Sequence, residues 1–138
     1  NGALQVGLDL NADLSATFAG DVSVGGDLRL ANSSGWFGYG ALDTGATLSS
    51  GSVTVTGSYA EIGSESGATD DCVTITGTGA SEGDILICVA DSGDTITFKD
   101  GTGNLALAGD CALAAVTDRL VLQWNGANWC EISRSINS

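Results

Sequence analysis

From Val53 onward the apolar residues of this chain recur at every second position, and no segment carries a 3.6-residue stripe of helical length. Val53-Thr54-Val55-Thr56, Val73-Thr74-Ile75-Thr76 and Thr95-Ile96-Thr97-Phe98 are rich in β-branched residues and read as half-buried strands. Upstream, Leu4, Val6, Leu8 and Leu10 alternate in the same way, as do Val22-Ser23-Val24 and Leu28-Arg29-Leu30. Ile85 to Val89 and Leu120 to Trp124 are more continuously apolar, as expected of strands near a packed centre. Asp100-Gly101 and Asn125-Gly126 supply the positive-φ positions of tight hairpin turns. The pattern predicts an all-β chain: a compact antiparallel β-sandwich or barrel-like domain with an extended N-terminal β segment. In that arrangement Asp100 to Asn104 turns the chain between strands Thr95–Lys99 and Leu105–Ala108.

Residues 1–46 carry short strands separated by glycines, whereas residues 47–138 have longer strands and hold all four cysteines. The expected organisation is an assembly or attachment segment over 1–46 and a compact domain over 47–138. Leu4, Val6, Leu8 and Leu10 place large apolar groups on one face of a strand, which needs a partner; another subunit is the natural source. Trp36, Phe37 and Tyr39 form an aromatic cluster that reads as subunit interface, with a sugar-stacking platform as the alternative.

The composition removes whole classes of function. Seventeen carboxylates against four Lys/Arg give −13, so the chain lacks the cations that nucleic-acid phosphates or an anionic membrane surface require. A hydrophobic content of 43% argues that such a charge belongs to a folded chain rather than a disordered one. No run approaches the length of a membrane span. The chain opens at Asn1 rather than methionine, as after removal of a leader or in a piece of a longer protein.

Chemistry is correspondingly thin. Without histidine there is no Ser-His-Asp or Cys-His nucleophile and no His-containing zinc site. Gly101-Thr102-Gly103 lacks the third glycine and the following helix of a phosphate-binding fingerprint. Asp9, Asn11 and Asp13 have the opening spacing of a calcium loop, but Leu14 and Gly20 stand where glycine and a bidentate acid are needed. Asp70-Asp71, Asp91, Asp94 and Asp100 are oxygen-rich loops without a ligand spacing. Glu61, Glu65, Glu82 and Glu131 show no spacing that favours a catalytic pair. No catalytic residue, metal or cofactor is assigned. A recurrent Gly-Asp at strand entrances (residues 20–21, 26–27, 83–84, 93–94 and 109–110) reads as turn chemistry.

Cys72, Cys88, Cys111 and Cys130 are even in number and contain no C-x-x-C pair, which disfavours a zinc ribbon. Two disulfides are expected, Cys72–Cys88 and Cys111–Cys130 among three possible connectivities, implying an oxidising location or a thermophilic source. The alternative is buried free thiols that pack as small hydrophobes.

From Gly83 to Ser135 the text resembles a β-rich module at the ends of many bacteriophage structural proteins, found in tail fibres and related virion appendages. The matching pieces are "GDIL" at Gly83 to Leu86, "TITFKDGTGNLALAG" at Thr95 to Gly109, and "LVLQWNGANWCEISRS" at Leu120 to Ser135. Cys111 and Cys130 stand where an apolar residue such as Phe or Val is expected. The spacer-like "LNADLSATFAGDVSVGGDLRL" is similar to short-strand repeats of trimeric phage fibres. The resemblance implies a non-enzymatic, homo-oligomeric structural subunit, a trimer by analogy, located in a virion and contacting other virion proteins. A secreted cell-surface filament polymerising by N-terminal donor-strand exchange is the second expectation, and a carbohydrate-binding module the third.

Overall fold

In the computed structural model, residues 38–137 are described, and they hold eleven strands and no helix. The strands are β1 (Asp43–Thr47), β2 (Ser52–Val55), β3 (Tyr59–Gly63), β4 (Thr69–Cys72), β5 (Thr74–Gly77) and β6 (Ile85–Ala90). They continue with β7 (Thr95–Phe98), β8 (Leu105–Ala106), β9 (Cys111–Leu113), β10 (Arg119–Trp124) and β11 (Trp129–Ser135). The chain divides into units Asn1–Phe37 and Gly38–Ser138. That boundary falls before β1, earlier than the expected division after residue 46.

The all-β reading holds, but the pairing is not that of a hairpin stack. Five of the eight strand pairings are parallel: β1 with β3, β3 with β6, β2 with β5, β4 with β7 and β8 with β11. From β3 the chain visits three sheets in turn, entering the main sheet at β3, the second at β4 and the third at β5. It then returns to the main sheet at β6 and the second at β7. Parallel neighbours need a long connection between them. Here strands of the other two sheets supply it, so each circuit stacks on the one before.

Stacking in register aligns the inward side chains in columns. Ala46, Ile62 and Ala90 form one column, and Ala60, Cys88 and Leu120 another. Cys72, Phe98 and Cys111 form a third, and Val53 lies on Ile75. All belong to a single buried cluster. Each large aliphatic or aromatic side chain in it contributes about 1.5–3 kcal/mol relative to exposure. The runs read as central strands, β6 and β10, do pair with each other in the middle of the six-stranded sheet.

After β7 the circuit ends. Residues 99–104 do not form a hairpin: β8 pairs with β11 instead of β7. Gly103, at φ +57°, approaches β5 so closely that a Cβ would lie 1.9 Å from the Val73 carbonyl oxygen. Asn104 then uses its side-chain amide as a strand would use its backbone. Its Oδ1 accepts from Ile75 N at 2.9 Å, and its Nδ2 donates to Ile75 O at 2.8 Å. The chain next reverses. β9 runs antiparallel on β7 and β10 antiparallel on β6, and the Asn125-Gly126 turn makes the expected hairpin to β11. The stack thereby ends, on its C-terminal side, in the antiparallel strands β9 and β10–β11, with the two-residue β8 and three-residue β9 as its edges.

One buried carboxylate fastens this cap. Asp118 is fully buried and accepts from Ala114 N at 2.9 Å, Ala115 N at 3.0 Å and Asn137 N at 2.6 Å. The Asn137 N–H, then those of Ala114 and Ala115 and the nearby Arg119 charge, hold its pKa below the ordinary aspartate value against the opposing effect of burial. With the folded pKa depressed, the stabilisation is full above the unfolded value of about 3.9 and is lost as pH falls through the folded value. Asp118→Asn is expected to melt well below wild type at neutral pH, the gap closing on acidification below about pH 4. A pH series of thermal melts on both proteins checks this. The gap is the readout because relief of repulsion among the other carboxylates acts on both alike.

Candidate assembly site

The Gly-Asp repeats resolve into one device. Gly83, Gly93 and Gly109 have φ of +99°, +92° and +95°. The aspartate after each accepts a backbone N–H: Asp84 from Ser81 at 2.8 Å, Asp94 from Ser64 at 2.7 Å and Asp110 from Asp100 at 2.9 Å. Glycine makes the turn and the carboxylate satisfies a donor that the turn leaves without a strand partner. The repeats at residues 20–21 and 26–27 lie outside the described residues.

Five of the other acidic candidates are similarly engaged. Asp100 accepts from Leu107 N, Asp70 from Glu65 N and Asp91 from Ser92 N. Glu65 accepts from Ser50 N, and Glu131 from Ala108 N while pairing with Arg134, whose proximity lowers its pKa. A glycosidase acid needs the opposite shift. Among the described residues, no three His, Cys, Asp or Glu side chains gather to hold a metal ion. A cleft of about 120 Å³ lies between Val55–Ser58 and Gly77–Ala80 beside Trp129. It is small against the ~300–1,000 Å³ of small-molecule sites.

The cysteines require a correction. All four are free thiols, so neither expected disulfide is present among the described residues. Strand alternation separates the second pair. Cys111 points into the core, whereas Cys130 follows the buried Trp129 and therefore points to the other side of its sheet. Cys72 and Cys88 face the same core from different sheets and remain separate thiols. Burial pushes the Cys72 pKa up to about 12 and those of Cys88 and Cys111 upward as well. Such thiols are poor nucleophiles. Alkylation of the native protein at pH 8 is expected to modify half-buried Cys130 first and the other three only on denaturation. Mass spectrometry of the time course would contradict this if two or more thiols reacted together.

The remaining predicted residues concern assembly. Leu4, Val6, Leu8, Leu10, Trp36 and Phe37 lie outside the described residues. Tyr39 is 45% exposed, ahead of β1. What the sequence leaves unmarked is a set of open strand edges among the described residues. Among the described residues, β1, β2 and β4 each have a strand partner on one side only. An unpaired edge presents a row of N–H and C=O groups that invites another strand. β1 is interrupted by a bulge between Asp43 and Ala46, and β4 carries Asp70 and Asp71. Both features discourage addition. β2, Ser-Val-Thr-Val, is regular and uncharged. The edge of β4 had no signal in the sequence, because Thr-Asp-Asp-Cys lacks the alternation that marks a strand.

No protein-family model matches the chain, and a search of curated proteins finds no relative.

Proposed function

We propose that this chain is a non-enzymatic, self-assembling structural subunit of the type that builds bacteriophage tail fibres and other virion appendages. The observation that carries the reading is the polarity of the stack. Its C-terminal end finishes in edges that are short or occupied, the two-residue β8, the three-residue β9 and β5 with Asn104 bonded to Ile75, while β1, β2 and β4 keep one side open among the described residues. A module with one finished end and one extendable end suits the tip of a longer homo-oligomeric assembly. The phage assignment itself rests on the resemblance of Gly83 to Ser135. Three core thiols support assembly in a reducing compartment, which favours a virion over a secreted filament.

Light scattering and electron microscopy of the purified full chain test the proposal. A discrete oligomer is expected. A monomer at micromolar concentration would overturn it. An open-ended fibre that disappears on deletion of residues 1–12 would replace it with donor-strand polymerisation.

A further inference from the structure

The core accounts for only one side of the main sheet. On β3, β6 and β10 the inward residues are Ala60, Ile62, Leu86, Cys88, Leu120 and Leu122. Alternation sends Tyr59, Ile85, Ile87, Val89 and Val121 to the opposite side. Register sets Tyr59, Ile87 and Val121 side by side across the three strands. Val89 stands apart from the core cluster but is 3% exposed, so its part of this face is already covered within the chain, whereas Tyr59, Ile85, Ile87 and Val121 are half-buried. The Arg119 guanidinium donates to the Tyr59 hydroxyl at 3.2 Å and lies 5.8 Å from that ring's centre. This bridge from β10 to β3 passes over β6. An outward sheet face on a monomer ordinarily carries polar side chains.

We propose that this outer face of the main sheet is the surface through which a second copy of the chain packs, an inference that rests on the self-assembly reading above. Charge selects the occupant. With seventeen carboxylates and four cations, two copies repel each other over most of their surface. On this face the only ionised groups of the three central strands are Glu61 and Arg119, which cancel. Glu61 lies opposite Val89, and Arg119 is one step beyond the Leu120–Cys88 pair on the other side of β6. A cationic partner would find stronger attraction elsewhere, on the acidic turns. A copy of this chain finds here a half-buried, apolar and charge-balanced area, centred on Tyr59, Ile87 and Val121, with little to desolvate.

The test is light scattering of the full chain across a dilution series, comparing wild type with Val121→Asp and Ala112→Asp. Ala112 is exposed on β9 of the second sheet and receives the same added charge. Val121→Asp is expected to weaken association on the order of 100-fold, as for a buried interface position, while Ala112→Asp leaves it unchanged. A folded Val121→Asp that keeps the wild-type oligomer overturns this surface and leaves the structural-subunit reading standing. A monomeric wild type overturns both. If Val121→Asp does not fold, Cys130 serves as a second probe, being on the same outer face opposite Gln123. Its alkylation in wild type should slow at least several-fold as concentration rises through the association range. An unchanged rate would mean that the face is not the interface, including the case in which residues 1–37 cover it.

Discussion

Gly103→Ala is expected to unfold the domain. The added methyl would meet the Val73 carbonyl oxygen at 1.9 Å and the Thr74 hydroxyl at 2.4 Å. The Val73 obstacle cannot retreat cheaply, because it is backbone and its carbonyl accepts from Asn104 N at 3.3 Å. Pushing residues 102–104 away from β5 would break that bond together with both amide bonds from Asn104 to Ile75. The expected loss is about 4 kcal/mol or more, the range of severe core disruptions, against the ~5–15 kcal/mol that holds a typical domain. Gly101→Ala is the control. Its φ of +66° is similar, but nothing lies within 4 Å of the added atom, so only the left-handed backbone cost of about 1–2 kcal/mol applies. Urea unfolding of the two variants should separate them widely. Equal midpoints would mean that the close approach is not what the glycine is for.

Trp129→Ala carries the second large effect, about 3–5 kcal/mol. The side chain is 3% exposed and its indole N–H donates to the Ile75 carbonyl at 3.1 Å. One edge of its ring lies over Gly77, where a Cβ would come within 2.8 Å, and Trp124 packs against it with centroids 5.2 Å apart. Trp129 thus joins β11, the second strand of the closing hairpin, to β5 of the third sheet, and truncation would leave a cavity at the seam. Trp129→Phe retains most of the apolar contact and loses the hydrogen bond, so its expected cost falls to about 1–2 kcal/mol. Chemical denaturation measures both, and similar losses for the two variants would show that the hydrogen bond, not the ring volume, dominates.

The sequence disclosed strands better than it disclosed their partners. Val53 to Thr56, Val73 to Thr76 and Ile85 to Val89 all became strands within a residue or so of the expected limits. Period two records only which side chains share a face, and that record is the same in parallel and antiparallel sheets. The expectation of hairpins came from the turn residues. It held at Asn125-Gly126 and failed at Asp100-Gly101, where long-range contacts of Gly103 and Asn104 with β5 direct the chain elsewhere. β3 was missed because its inward pair is Ala60 and Ile62, with only one large apolar residue to mark the face. The cysteine pairing failed for a related reason. Whether Cys111 and Cys130 face each other depends on which sheet each joins, and spacing along the chain is silent on that.

The hairpin that closes the stack also orders events in time. Of the strand pairings, β10 with β11 is the one joined by a short turn, whereas the parallel pairs connect residues far apart in the chain. Loop closure makes distant pairings slow to form. Of the described strands, β10 and β11 are also the last to leave the ribosome. The circuits from β1 to β7 therefore emerge before the hairpin that covers β6, and that edge stays vulnerable to wrong partners until β10 follows. A chain that stops short of Arg119 is left with the open edge of β6 and no hairpin to cover it. Its fate is aggregation or proteolysis rather than a shorter folded module.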